Sequence, residues 1–211
     1  MMPSIRSRPV QLGIAAAALA IVAVVFAYVQ FFRAAPPPRF DSDEDHFLFG
    51  SVGTETSDGM PYWVWLVLPR IVPDLLPGPG GYASLGIRSK EGSEMPIGLS
   101  KVTVGYPRVG INCAMCHTPG GTPDDTVARR YVSFLASAAA DPRFTPAAIL
   151  GEIAKNYRLS ATDRLLYRFV IIPGTRDDLL ELEGRHDVWD HAAMPALPGV
   201  ERARNYIAAP R

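Results

Sequence analysis

The sequence predicts a mainly α-helical domain with long irregular loops, preceded by one N-terminal transmembrane helix. Three observations predict it. An uncharged apolar run lies near the start, from Val10 to Phe32. The middle of the chain is dense in turn formers, within totals of 20 Pro and 18 Gly. The last third carries apolar residues at helical spacing behind helix-start signals.

The N-terminal run reads "VQLGIAAAALAIVAVVFAYVQFF", with Gln11 and Gln30 its only strongly polar side chains. A bilayer-crossing helix needs about 20 such residues. A cleaved signal peptide is the alternative, with Ala18-Leu19-Ala20 as an A-x-A site. The run continues well past that site, so an uncleaved anchor over 10–32 is the preferred reading, with 1–9 as a short cytoplasmic tail. Arg6 and Arg8 precede it and Arg33 and Arg39 follow, so the positive-inside count is a tie. Residues 33–45, "RAAPPPRFDSDED", read as a linker: the prolines favour an extended spacer holding the domain off the membrane, and the acidic run reads as solvated.

The domain proper is expected over 46–186. "PYWVWLVL" is a buried strand or a short buried helix, with Trp63 and Trp65 filling the core. Residues 69–86 are an ordered, turn-rich loop; their glycines lack the Gly-Lys-Ser/Thr ending of a phosphate loop. Further irregular chain follows to Arg108, with one strand at Lys101–Val104. Helices are then expected over Thr126–Ala140 and from the Thr145 cap with Pro146 to about Tyr157. Two more start at Ser160 with Asp163 and at Thr175 with Asp178, both patterned as capping boxes, and Gly184 is the expected stop. Residues 187–211 form a C-terminal tail.

Charge excludes one class of partner. Lys and Arg total 21, as do Asp and Glu, and no basic stripe recommends a nucleic-acid surface. The chain has only 2 cysteines, too few and too close together for a disulfide scaffold.

Those cysteines sit in "VGINCAMCHTPGG" as Cys113 and Cys116, with His117 directly behind. A thioredoxin-like dithiol needs a strand entering the motif within a βαβ unit, and the lead-in "YPRVGIN" reads as a turn. A structural zinc site needs four ligands, and His186 and His191 lie far along the chain. Covalent attachment of one haem c uses every residue of the cluster. Positions i and i+3 on one helical turn share a face, so both thiols reach the two vinyl groups on one porphyrin edge. The next residue, His117, then supplies the proximal iron ligand. This reading makes the domain cytochrome c-like. In bacteria such attachment takes place outside the cytoplasmic membrane, so a single-pass inner-membrane protein facing the periplasm is expected.

The distal ligand separates carrier from catalyst: Met or His gives an electron-transfer iron, and an open site admits oxygen or peroxide. Met95 in "SEMPIG" and Met194 in "AAMPAL" are the candidates, with Met60, His46, His186 and His191 behind them. Met115, inside the motif, cannot reach around. Core packing is the commoner fate of Met. Arg108 is a surface arginine or a partner for a haem propionate.

Three stretches, "HFLFGSVGTE", "MPYWVWLVLPRIVPDLLPGPGGYASLG" and "VGYPRVGINCAMCHT", together resemble the N-terminal haem region of bacterial di-haem c-type cytochromes related to rubber oxygenases. Those are distantly related to di-haem cytochrome c peroxidases. The resemblance covers about His46 to Arg185. It implies thioether bonds at Cys113 and Cys116 and a proximal bond at His117. Members of the family carry a second C-x-x-C-H with its own domain; this sequence holds one, which suggests a truncated relative or half of a split protein.

The expectation is a membrane-anchored periplasmic cytochrome passing single electrons to periplasmic or membrane redox proteins. The alternative is the haem region of a di-haem oxygenase or peroxidase, working with a second haem subunit. A non-redox metal or structural module on an anchor is the third reading.

Overall fold

The computed structural model describes residues 7–57, 59–117 and 125–191; the expectations placed on Met194 and on the last part of the tail fall outside them. The chain is mainly helical with one small sheet.

Helix α1 (Ser7–Phe31) is apolar on every side. Its segment Val10–Phe31, 22 residues, is exposed along its length up to Val29. At about 1.5 Å per residue that length covers about 33 Å, against a hydrocarbon core of about 30 Å. It is long and apolar enough to cross a membrane or to serve as a signal sequence.

The start of the linker is docked rather than free. Strands β2 (Leu99–Val104) and β3 (Tyr106–Ile111) form a hairpin whose tip grips the end of α1. The Gly105 amide donates to the Arg33 carbonyl at 2.8 Å, and the Ala35 amide donates to the Thr103 carbonyl at 2.9 Å. The Phe31 ring stands edge-on to Tyr106 at 6.5 Å. Gly105 has φ +71°, and a Cβ there would lie 2.1 Å from the Gln30 carbonyl oxygen, so only glycine permits this approach.

The acidic run does more than face solvent. It forms the first turn of α2 (Asp43–Phe49), where carboxylates complement the helix dipole. Ser42 caps that turn, its hydroxyl oxygen accepting from the Asp45 amide. Lys90 pairs with Asp45 at 2.6 Å and holds its carboxyl below the usual range.

"YPRVGI", expected as a turn, is the centre of an antiparallel sheet of order β1-β3-β2. Strand β1 (Met60–Pro61) pairs only with Val109 and Arg108. Pro107 therefore sits where β3 has a neighbour on one side alone, which is how a strand tolerates proline.

The apolar aromatic run resolves to helix α4 (Tyr62–Ile71), which packs on α7 (Pro146–Asn156). Trp65 is buried and stacks on Tyr82 at 4.8 Å, and the Tyr82 hydroxyl donates to the Trp65 carbonyl. Trp63 is half-buried against Tyr157. The turn-rich loop is ordered, with short 3-10 turns at Pro73–Leu75 and Gly81–Leu85.

Helix α6 (Asp125–Ala140) and the Thr145-capped α7 match the helical patterning. Ser160 caps α8 (Ala161–Leu166) by accepting from the Asp163 amide, again as its sequence pattern predicts. The later boundaries need correction. Thr175 starts no helix and Gly184 stops none: α8, a π turn at Tyr167–Ile171 and α9 (Ile172–His191) form one continuous rod. The Thr175 hydroxyl donates to the Ile171 carbonyl, the bond of a helix-interior threonine. The π turn sits just before Pro173, where the Ile172 amide reaches back five residues to the Tyr167 carbonyl. Proline has no amide and crowds the preceding turn, and one wide turn absorbs that defect without breaking the rod.

Candidate functional site

Strand β3 delivers the chain to Asn112, and the motif follows at once. The His117 amide donates to the Cys113 carbonyl at 3.1 Å, closing one turn over α5 (Ala114–His117). Positions i, i+3 and i+4 of such a turn lie together, so residues 113, 116 and 117 occupy one backbone face. The intervening residues face the other way: Ala114 and Met115 are buried in the core. Cys113 and His117 are exposed. The turn therefore presents a thiol and an imidazole outward while its back is packed shut.

Two residues hold this turn, and the sequence reading singled out neither. Asn112 is 4% exposed, and every polar atom of its side chain is used. Its Nδ2 donates to the carbonyls of Leu48 at 3.1 Å and Gly50 at 3.0 Å. Its Oδ1 accepts the Ala114 amide at 2.9 Å, so one amide side chain ties the motif to the end of α2. Gly98, at φ +89°, passes against the back of the turn, where a Cβ would stand 2.5 Å from the Met115 Cα. Its carbonyl accepts the Asn112 amide, and its own amide donates to Leu48. An asparagine just before a cysteine pair is a plausible cap by residue type, a local signal the pattern reading passed over. The carbonyls it holds lie in a distant segment and leave no trace nearby.

A second buried polar group supports the strand entering the motif. Glu55 on α3 (Thr54–Ser57) is fully buried, and accepts from the Ser51 hydroxyl at 2.5 Å and from the Ser100 hydroxyl. Thr54 donates to the Ile111 carbonyl at 2.9 Å. Gly110 leaves the space these groups fill: a Cβ there would lie 2.3 Å from the Thr54 hydroxyl.

The other candidates are dispersed. Met95 is 6% exposed and belongs to the core, in the loop that leads to Gly98. Met60 is buried in β1. His46 is exposed and stacks on Phe40 at 5.6 Å. His186 and His191 lie on α9. Arg108 is neither a free surface residue nor drawn to the motif. Its guanidinium lies 4.4 Å over the Tyr106 ring, toward the hairpin tip, and its Nε is sealed from solvent without a hydrogen-bond partner.

The strand running into the cysteines removes one sequence argument against a dithiol site. The antiparallel hairpin supplies another, because the thioredoxin-type motif follows a strand of a βαβ unit. Among the described residues no three His, Cys, Asp or Glu side chains gather as a metal cluster. Comparison with protein-family models, with curated proteins and with solved structures returned no match.

Proposed function

We propose that this chain is a membrane-anchored c-type cytochrome, exported so that its domain faces the periplasm, which carries one covalent haem and passes single electrons. The observation that carries the reading is the placement of the C-x-x-C-H stretch. Cys113 and His117 are on the outward face of a single helical turn whose inward face, Ala114 and Met115, is locked into the core. The donor set fits a haem: two thiol-bearing positions and an imidazole share the face that attachment requires.

Cys113 and Cys116 would hold the porphyrin edge and His117 the iron. Bound there, the haem supplies a one-electron ferric–ferrous couple. The rest of the work falls to this chain. Asn112 ties down the start of the turn through the Ala114 amide. Met115 and Ala114 exclude water from behind the turn. Gly98 allows the Met95 loop to close against it. Helix α1 is the membrane anchor in this reading.

The test is expression of the full chain with a haem-maturation system. The pyridine haemochrome and peptide mass mapping of 109–121 should show one haem per chain joined at Cys113 and Cys116. A colourless protein with a Cys113–Cys116 disulfide, or one holding zinc, overturns the proposal. Spectra with carbon monoxide or cyanide then test the carrier role. An inert low-spin iron is expected, and rapid ligand binding would replace electron transfer by oxygen or peroxide activation.

A further inference from the structure

The turn after Ser160 carries a surface that the haem reading does not use. Leu165, Phe169 and Val170 are 60%, 66% and 50% exposed, although Tyr167 and Ile171 on the same segment are buried. Tyr167 and Ile171 stand at i, i+4 and face the core, so Arg168, Phe169 and Val170 between them face outward. Arg164 and Arg168, both exposed, alternate with the apolar pair, so Arg164/Arg168 and Leu165/Phe169 each stand at i, i+4. The Arg168 guanidinium lies 5.6 Å over the Phe169 ring. Basic groups beside a Leu/Phe ridge suit an interface where acyl chains meet anionic phosphates.

The position of this turn points to the same occupant. Tyr167 meets the Tyr106 ring at 6.2 Å, and Tyr106 meets Phe31 at 6.5 Å. Two ring contacts thus join the turn to the last residue of α1. Around that end Tyr28 and Phe32 are exposed, followed by exposed Arg33, the aromatic and basic residues of a membrane–water boundary.

We infer that Leu165, Phe169 and Val170 insert into the lipid headgroup layer beside the end of α1, with Arg164 and Arg168 on the phosphates of anionic phospholipids. The surface is a second membrane contact, continuous with the anchor, and the inference rests on the anchoring role of α1. It fixes the domain's tilt on the bilayer, which one helix alone leaves free to rotate.

The test uses the full chain in bacterial membranes, with the photo-crosslinker p-benzoylphenylalanine replacing Leu165, Phe169 or Val52 one at a time. All three side chains are exposed, so folding is retained. Val52 lies near Gly50 at the motif end and serves as the distant reference. Phospholipid adducts on the peptides carrying positions 165 and 169, and none at 52, are expected. The charge reversal R164E/R168E should reduce those adducts. Alkaline extraction separates the two ways of failing. Release of the chain into the supernatant overturns the anchor. Retention in the membrane without lipid adducts at 165 and 169 overturns this contact alone.

Discussion

Gly98 and Met115 are in backbone contact: a Cβ on Gly98 would fall 2.5 Å from the Met115 Cα and 2.7 Å from its amide nitrogen. The loop of Met95 and the cysteine turn can therefore close on each other only while position 98 has no side chain.

Gly98→Ala should accordingly be among the most damaging single-methyl additions in the domain. Its φ of +89° alone costs on the order of 1–3 kcal/mol for a residue with a Cβ, and the backbone clash adds to that. A thermal melt should show a clearly lowered Tm. An unchanged Tm would mean that the loop does not close on the turn.

Asn112→Ala removes three hydrogen bonds at a buried position: the Leu48 carbonyl keeps the Gly98 amide, while the Gly50 carbonyl loses its donor. About 1–3 kcal/mol is expected for a single buried group so stranded, and urea denaturation should show at least that loss. On the proposed haem reading, the fraction of chains carrying covalent haem should fall with it, because the turn that carries the motif loses its tie to the core. Asn112→Asp keeps the Ala114 contact but loses both donors, and should also be destabilised.

Ser100→Ala tests the polar support under β3. Ser100 is fully buried, and its hydroxyl donates to Glu55. Its loss leaves a buried acceptor short of a partner, at about 1–3 kcal/mol. Motif presentation should survive, since Asn112 holds it independently, so stability should fall while haem content stays level.

Acid stability should depend on one surface clamp. The Arg143 guanidinium, bonded to Asp141 at 2.7 Å and to Asp74 at 2.6 Å, holds both carboxyls below their ordinary value. Its side-chain bonds and its backbone amide bring Asp141 down to about 2. A depressed folded-state pKa gives stability that is complete above the ordinary carboxylate value and lost as pH falls toward 2. Arg143→Met should raise the pH midpoint of acid unfolding measured by circular dichroism. Equal midpoints would remove the clamp from the account of stability.

Local chemistry is what the sequence made legible. Thr145 with Pro146, and Ser160 with Asp163, announce helix starts because each cap is completed within three residues. The long N-terminal run and the C-x-x-C-H cluster are equally self-contained. The failures share a cause. β3 is hidden because Pro107 reads as a breaker, and its tolerance depends on how little of β1 pairs beside it. Thr175 carries a capping pattern, but the rod running in from Ser160 had already satisfied the backbone around it. Asn112 finds two of its acceptors 62 and 64 residues away.

The clasp of Gly105 and Thr103 on residues 33–35 also governs reach. Between that clasp and Asn112 runs β3, six residues long, a strut of about 20 Å at about 3.4 Å per residue. The cysteine face thus stands at a set height from the end of α1 instead of sweeping an arc on a leash. Changing the number of residues between Pro36 and Ser42 should leave that height alone. Lengthening each strand of the β2–β3 hairpin by two residues should raise it by about 7 Å, so the sheet acts as a ruler for that height.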